Sequence, residues 1–148
     1  MKNKIFVGIA LSIVVLLGAL YYVSTNKTQI EGEKQIVMEK NEQKSYMDIE
    51  PKEAYELIQN TPNLVIIDVS PKYKEGHIPG AINYYLGDGS LAKAVPTLDK
   101  NLKYLVYCHV DSISIAGAQM LVDAGISDVY RLKGNYSAWV EAGYPVDK

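Results

Sequence analysis

Apolar and polar positions change their pattern twice along this chain. Ile5 to Val23 is one uncharged run without proline, preceded by Met1-Lys2-Asn3-Lys4. Its length matches the roughly 20 apolar residues that cross a bilayer core. Residues 24–45 are polar and carry no apolar period apart from Ile36-Val37-Met38. From Tyr46 onward the pattern becomes that of a folded unit. Met47-Asp48-Ile49 reads as a short strand, and Glu50-Pro51 opens a helix with the apolar stripe Ala54, Leu57 and Ile58. Thr61-Pro62-Asn63 is a turn, and Leu64-Val65-Ile66-Ile67 is a continuous apolar run suited to a central parallel strand. Pro71 to Glu75 predicts one helical turn, followed by a turn and a short strand ending at Asn83. Leu91 to Val95 predicts a short helix that Pro96 ends or kinks. Leu105-Val106-Tyr107 is the next strand. The helix after it shows Ile115, Met120, Leu121 and Val122, runs to Ala124 and is closed by Gly125. Val129 to Leu132 is a strand, and Asn135 to Glu141 a last helix carrying Trp139. Strands alternating with helices predict an α/β fold, a mainly parallel sheet covered on both faces.

Three segments follow: 1–23 as a membrane anchor or signal, 24–45 as a flexible linker, and 46–148 as one domain. The exit from the apolar run, Leu20-Tyr21-Tyr22-Val23-Ser24, is bulky where a signal-peptide cleavage site needs small residues. An uncleaved single-pass anchor is the expectation. Lys2 and Lys4 then stay cytoplasmic and the domain faces the extracytoplasmic side. Cleavage would instead leave the domain secreted or periplasmic. Charge sharpens the division. The formal charge is +2 over residues 1–23, zero over 24–45 and −4 over 46–148, within a total of −2. A mildly acidic domain argues against nucleic acid as a partner.

The chain has one cysteine, Cys108, and two histidines, His77 and His109. An internal disulfide is impossible, and no spacing suggests a metal site, so neither metal nor cofactor is expected. Cys108 stands between the strand and the helix it leads into. At the carboxyl end of a parallel strand, a residue faces the crevice where α/β sheets bind ligands. The first turn of the helix presents free N–H groups that stabilise a thiolate. Ser112 or Ser114 is expected to cap that helix. Cys108 is thus a candidate nucleophile, with an inert strand-ending hydrophobe as the alternative.

Ile67-Asp68-Val69, followed by Gly76-His77-Ile78-Pro79-Gly80-Ala81-Ile82-Asn83, resembles the first signature of rhodanese-like domains. Tyr107-Cys108, with its loop and helix, falls where that family's active-site cysteine lies. Val129-Tyr130-Arg131-Leu132-Lys133-Gly134, then Trp139 and Gly143-Tyr144-Pro145-Val146, resembles its closing signature. The resemblance covers residues 46–148. It implies an open five-stranded parallel sheet flanked by helices and a persulfide carried on Cys108. Sulfur would pass from a small donor to a thiol acceptor or acceptor protein. The loop His109, Val110, Asp111, Ser112, Ile113 and Ser114 would form the donor-binding cradle.

That loop departs from the family's usual pattern. Asp111 stands where a glycine is common, Ile113 where an arginine is common, and Asn135 in place of the second glycine of the closing pair. An arginine fork binds oxyanions and lowers a thiol pKa, and isoleucine does neither. Asp111 is expected to raise the thiol pKa and to repel anionic donors. His109, if charged, would help form the thiolate. Arg131 or Lys133 is a candidate for the missing cation. His77, Asp68 and Trp139 are expected in structural roles. Two readings follow: a membrane-tethered sulfurtransferase, or a non-catalytic rhodanese-like module that binds a partner. A phosphatase or arsenate reductase would need the arginine that Ile113 replaces.

Overall fold

The computed structural model describes Tyr22 and residues 45–148. The chain divides into two units, Met1–Gln43 and Lys44–Lys148. Apart from Tyr22 and Ser45, the expected anchor and linker lie outside the described residues. Tyr22 is helical and exposed. Among the described residues, no helix is long and apolar enough to cross a membrane.

Five strands form one parallel sheet. They are β1 (Met47–Ile49), β2 (Val65–Asp68), β3 (Ile82–Asn83), β4 (Tyr104–Tyr107) and β5 (Val129–Leu132). Their spatial order is β1-β5-β4-β2-β3. β4 is central and buried along its whole length, between β2 and β5. That burial is why its sequence shows no polar alternation. The edge strands β1 and β3 are only three and two residues long, which leaves little open edge.

The period of two along β4 assigns its side chains to two cores. Tyr104, Val106 and Cys108 join one cluster with Leu121 and Val122. Leu105 and Tyr107 join the other, with Ala54 and Trp139. The helices therefore split between the faces: α1 (Pro51–Asn60) and α4 (Asn135–Glu141) on one, α2 (Ser90–Ala94) and α3 (Asp111–Asp123) on the other. Cys108 belongs to the α3 face. Gly117 lets α3 lie close to the sheet, since an added Cβ would meet Val69 Cγ1 at 3.1 Å.

Local signals explain most element ends. Glu50 and Glu53 form a reciprocal capping box ahead of Pro51. Gly125, at φ +91°, sits just past α3. Its N–H donates to the Val122 carbonyl, and the Ile126 N–H to that of Leu121, the paired bonds of a Schellman stop. Three expectations need correction. The α-helix before Pro96 is Ser90–Ala94, and Val95–Thr97 continues it as a tighter 3₁₀ turn that holds Pro96 near its start. Neither Ser112 nor Ser114 caps α3, whose N-cap is Val110 without a side-chain bond. Ile115 is not core: it is 40% exposed, while Ser114, Gly117, Ala118, Leu121 and Val122 form the buried face.

Candidate active site

The carboxyl end of β4 places Cys108 at the foot of α3. The side chain is buried, with 1% exposure. Burial pushes its thiol above the ordinary range, partly offset by the adjacent Val110 and His109 backbone N–H groups. The Asp68 carboxylate pushes in the same direction as burial. The thiol therefore stays protonated to higher pH than a free cysteine.

Asn135 holds the loop from behind. It has φ +58°, and asparagine tolerates the left-handed region better than most residues. Its Oδ1 accepts the Cys108 N–H at 3.1 Å, and its Nδ2 donates to Asp111 Oδ1 at 2.8 Å. The next residue, Tyr136, donates its N–H to the Cys108 carbonyl at 3.0 Å. The start of α4 thus ties both ends of the segment Cys108 to Asp111.

Arg131 provides the second tie. Its Nε and Nη2 grip the Asp48 carboxylate as a fork. Its Nη1 donates to Asp111 Oδ1 at 2.7 Å and to Ser114 Oγ at 3.3 Å. The Arg131 side chain is only 5% exposed, and its carboxylate bonds raise its pKa further. The candidate for the missing cation is present at the crevice but engaged. Lys133 is engaged too, through Glu50 at 2.6 Å.

The other loop residues separate by orientation. Asp111 does not stand as a free charge against the sulfur. It bonds Arg131 and Asn135, and burial and Asp68 raise the thiol instead. Ile113 packs on the core cluster that contains Cys108. Ser112 is exposed, and Ser114 is buried with its hydroxyl donating to the Asp111 carbonyl. Val110 is 54% exposed. His109 is half-buried. Burial lowers its pKa, and its ring lies 4.6 Å from that of Tyr136.

Below the loop, Asp68 is fully buried. Its Oδ1 accepts the Ser70 N–H at 2.7 Å, a turn role. Its Oδ2 and His109 Nε2 have no hydrogen-bond partner. Burial raises the Asp68 pKa despite the Ser70 bonds that lower it. His77 has the structural role expected of it, with Nδ1 3.1 Å from the Tyr73 carbonyl oxygen. Trp139 is core at 1% exposure. An apolar pocket bounded by Tyr55, Ile58, Ile78, Trp139 and Pro145 includes no residue of the Cys108 loop. Among the described residues, no group of His, Cys, Asp or Glu could hold a metal ion.

Sequence reasoning missed Asp48, which reads only as a polar position in an edge strand. Its partner, Arg131, is 83 residues away, and only the β1–β5 register brings them side by side. Asn135 was visible as a departure from a glycine pair, but nothing local shows what its amide touches.

A parallel sheet with a cysteine loop at the head of a helix defines an α/β domain of the rhodanese class. Residues 50–142 match the family model of the rhodanese-like domain, and the chain belongs to that family. It is similar to the thiosulfate sulfurtransferase GlpE of Glaesserella parasuis, 27% identical over 105 residues, 71% of this chain and 96% of that protein. The thiosulfate sulfurtransferase GlpE of Shewanella oneidensis is 35% identical over 91 residues, 59% of this chain and 88% of that one. Among solved structures, the rhodanese-like domain of the Anabaena Alr3790 protein superposes with a TM-score of 0.61 at 27% identity, covering 68% of this chain and 77% of that one.

Proposed function

We propose that this protein is a membrane-tethered sulfurtransferase that carries a sulfane sulfur as a persulfide on Cys108. One observation carries the reading: Cys108 is buried just past the carboxyl end of the central strand, where the chain turns into α3. The N–H groups at the head of a helix favour negative charge on a thiol placed there. In the first half-reaction Cys108 attacks the outer sulfur of a donor, a new S–S bond forms, and the donor remnant leaves with the electron pair. In the second, an acceptor thiolate attacks the outer sulfur of the persulfide, and Cys108 leaves as thiolate. Asn135, Asp111 and Arg131 hold the loop. The uncharged run Ile5–Val23 supports tethering to the cell membrane, with the domain 46–148 on the extracytoplasmic side of a linker.

The test is mass spectrometry of the purified full-length protein after incubation with a sulfane-sulfur donor. Gain of one sulfur atom by wild type, lost in Cys108→Ser and removed by a thiol acceptor, is the expected result. No adduct at Cys108 with any donor leaves the non-catalytic binding module as the reading of this fold.

A further inference from the structure

The charge and burial around Cys108 select among sulfur donors. Arg131 has five N–H donors, and four are spent: two on Asp48, one on Asp111 and one on Ser114. Asp48, Arg131 and Asp111 together carry one net negative charge. Lys133 is bonded to Glu50, and Lys72, on the chain leaving β2, lies 3.6 Å from Glu75. These three cations at the carboxyl edge of the sheet are all matched by carboxylates. Ile113, where an arginine would receive an anion, packs on the core cluster that holds Cys108. On the loop and the helix after it, Val110 and Ile115 are exposed; the His109 and Tyr136 rings lie 4.6 Å apart, and the Tyr136 N–H bonds the Cys108 carbonyl. Rings of this kind suit polarisable sulfur. Finally, the Cys108 side chain is 1% exposed, so a donor must shed its water to reach it. A dianion pays heavily for that step when the Arg131 guanidinium is already engaged, and an uncharged donor does not.

We infer that the site takes uncharged sulfane-sulfur chains, of which a dialkyl trisulfide is the simplest, in preference to thiosulfate. This rests on the sulfurtransferase reading above. With a trisulfide, the Cys108 thiolate attacks the central sulfur. One Sγ–S bond forms, one S–S bond breaks, and an alkanethiolate leaves with the electron pair. This leaves Sγ–S–S–alkyl on Cys108. A thiolate attacks the alkyl-bearing sulfur, takes it as a mixed disulfide and leaves the persulfide. An acceptor thiolate then attacks the outer persulfide sulfur and releases Cys108 as thiolate, so thiols are the only co-reactants.

The experiment follows adduct formation on Cys108 of the full-length protein with dimethyl trisulfide and with thiosulfate. Each rate is divided by that donor's rate with N-acetylcysteine. Wild type is expected to favour the trisulfide at least about tenfold on this scale. Asp48→Asn and Asp111→Asn each remove one negative charge and loosen the grip on Arg131. Each should shift the ratio toward thiosulfate by about tenfold, as one unit of charge acting on a dianion near a protein surface implies. Equal normalised rates in wild type, or an unmoved ratio in both folded variants, overturns the donor class while leaving the sulfurtransferase intact. If iodoacetamide labels Cys108 but neither donor does, the sulfurtransferase reading itself is lost, and this inference with it.

Discussion

Asn135 accepts the backbone N–H of Cys108 across 27 residues of sequence, and does so from a left-handed backbone conformation. The two requirements make separable demands. Asn135→Gly keeps the backbone conformation and leaves the buried Cys108 N–H unpaired, at a cost of about 1–3 kcal/mol. Asn135→Ala loses the same bonds and adds backbone strain of about 1 kcal/mol. Urea unfolding of the two variants should rank them wild type, glycine, alanine. Equal stability of glycine and alanine would mean that the backbone conformation contributes nothing here.

Arg131→Lys should destabilise the domain even though it keeps the charge. One ammonium cannot reproduce the fork on Asp48 and also reach Asp111 and Ser114. Asp48 and Asp111 are 42% and 66% exposed, so they regain water when the guanidinium goes. The expected loss is therefore that of charge-assisted hydrogen bonds, about 2 kcal/mol, rather than that of a fully buried ion pair. Equilibrium denaturation reads it directly. A lysine variant as stable as wild type would show that the fork does not hold the loop.

Cys108 should alkylate slowly at neutral pH, with its rate rising above the ordinary thiol range, because burial and Asp68 both raise its pKa. Asp68→Asn removes the nearby carboxylate and should move the rate profile toward lower pH. The same variant tests stability. The folded-state pKa of Asp68 is raised, so the fold binds that proton more tightly than the unfolded chain does. The stability this group contributes is complete at acid pH and is lost as pH rises through the folded pKa. Asp68→Asn should therefore gain on wild type at neutral pH, and the gain should vanish in acid. A gain that persists unchanged in acid would assign it to packing rather than to charge.

Residues 1–23 should hold the protein in the membrane. Alkaline carbonate should leave the full-length protein in the pellet, and the mature N-terminus should precede Ser24. A mature chain starting near Ser24 would replace the anchor with a cleaved signal.

By itself, the sequence determined the order and type of nearly every element after residue 45. Apolar runs, turn residues, the helix start at Pro51 and the helix stop at Gly125 are local properties, and local propensity agrees with the final fold at β4 and β5. It also singled out Cys108, as the lone thiol at a strand-to-helix junction. The electrostatics of that junction came from the tertiary structure. Asp111 reads in sequence as a charge facing the sulfur, but it bonds Arg131 from β5 and Asn135 from α4. Arg131 reads as a free cation, and the parallel pairing of β1 with β5 sets Asp48 against it. Ile113 reads as a failed arginine of the pocket, and helix packing turns it onto the core. In each case the deciding partner lies tens of residues away. A side chain's charge is written in the sequence, but the field it feels depends on which distant groups the sheet register and helix packing bring within hydrogen-bond reach.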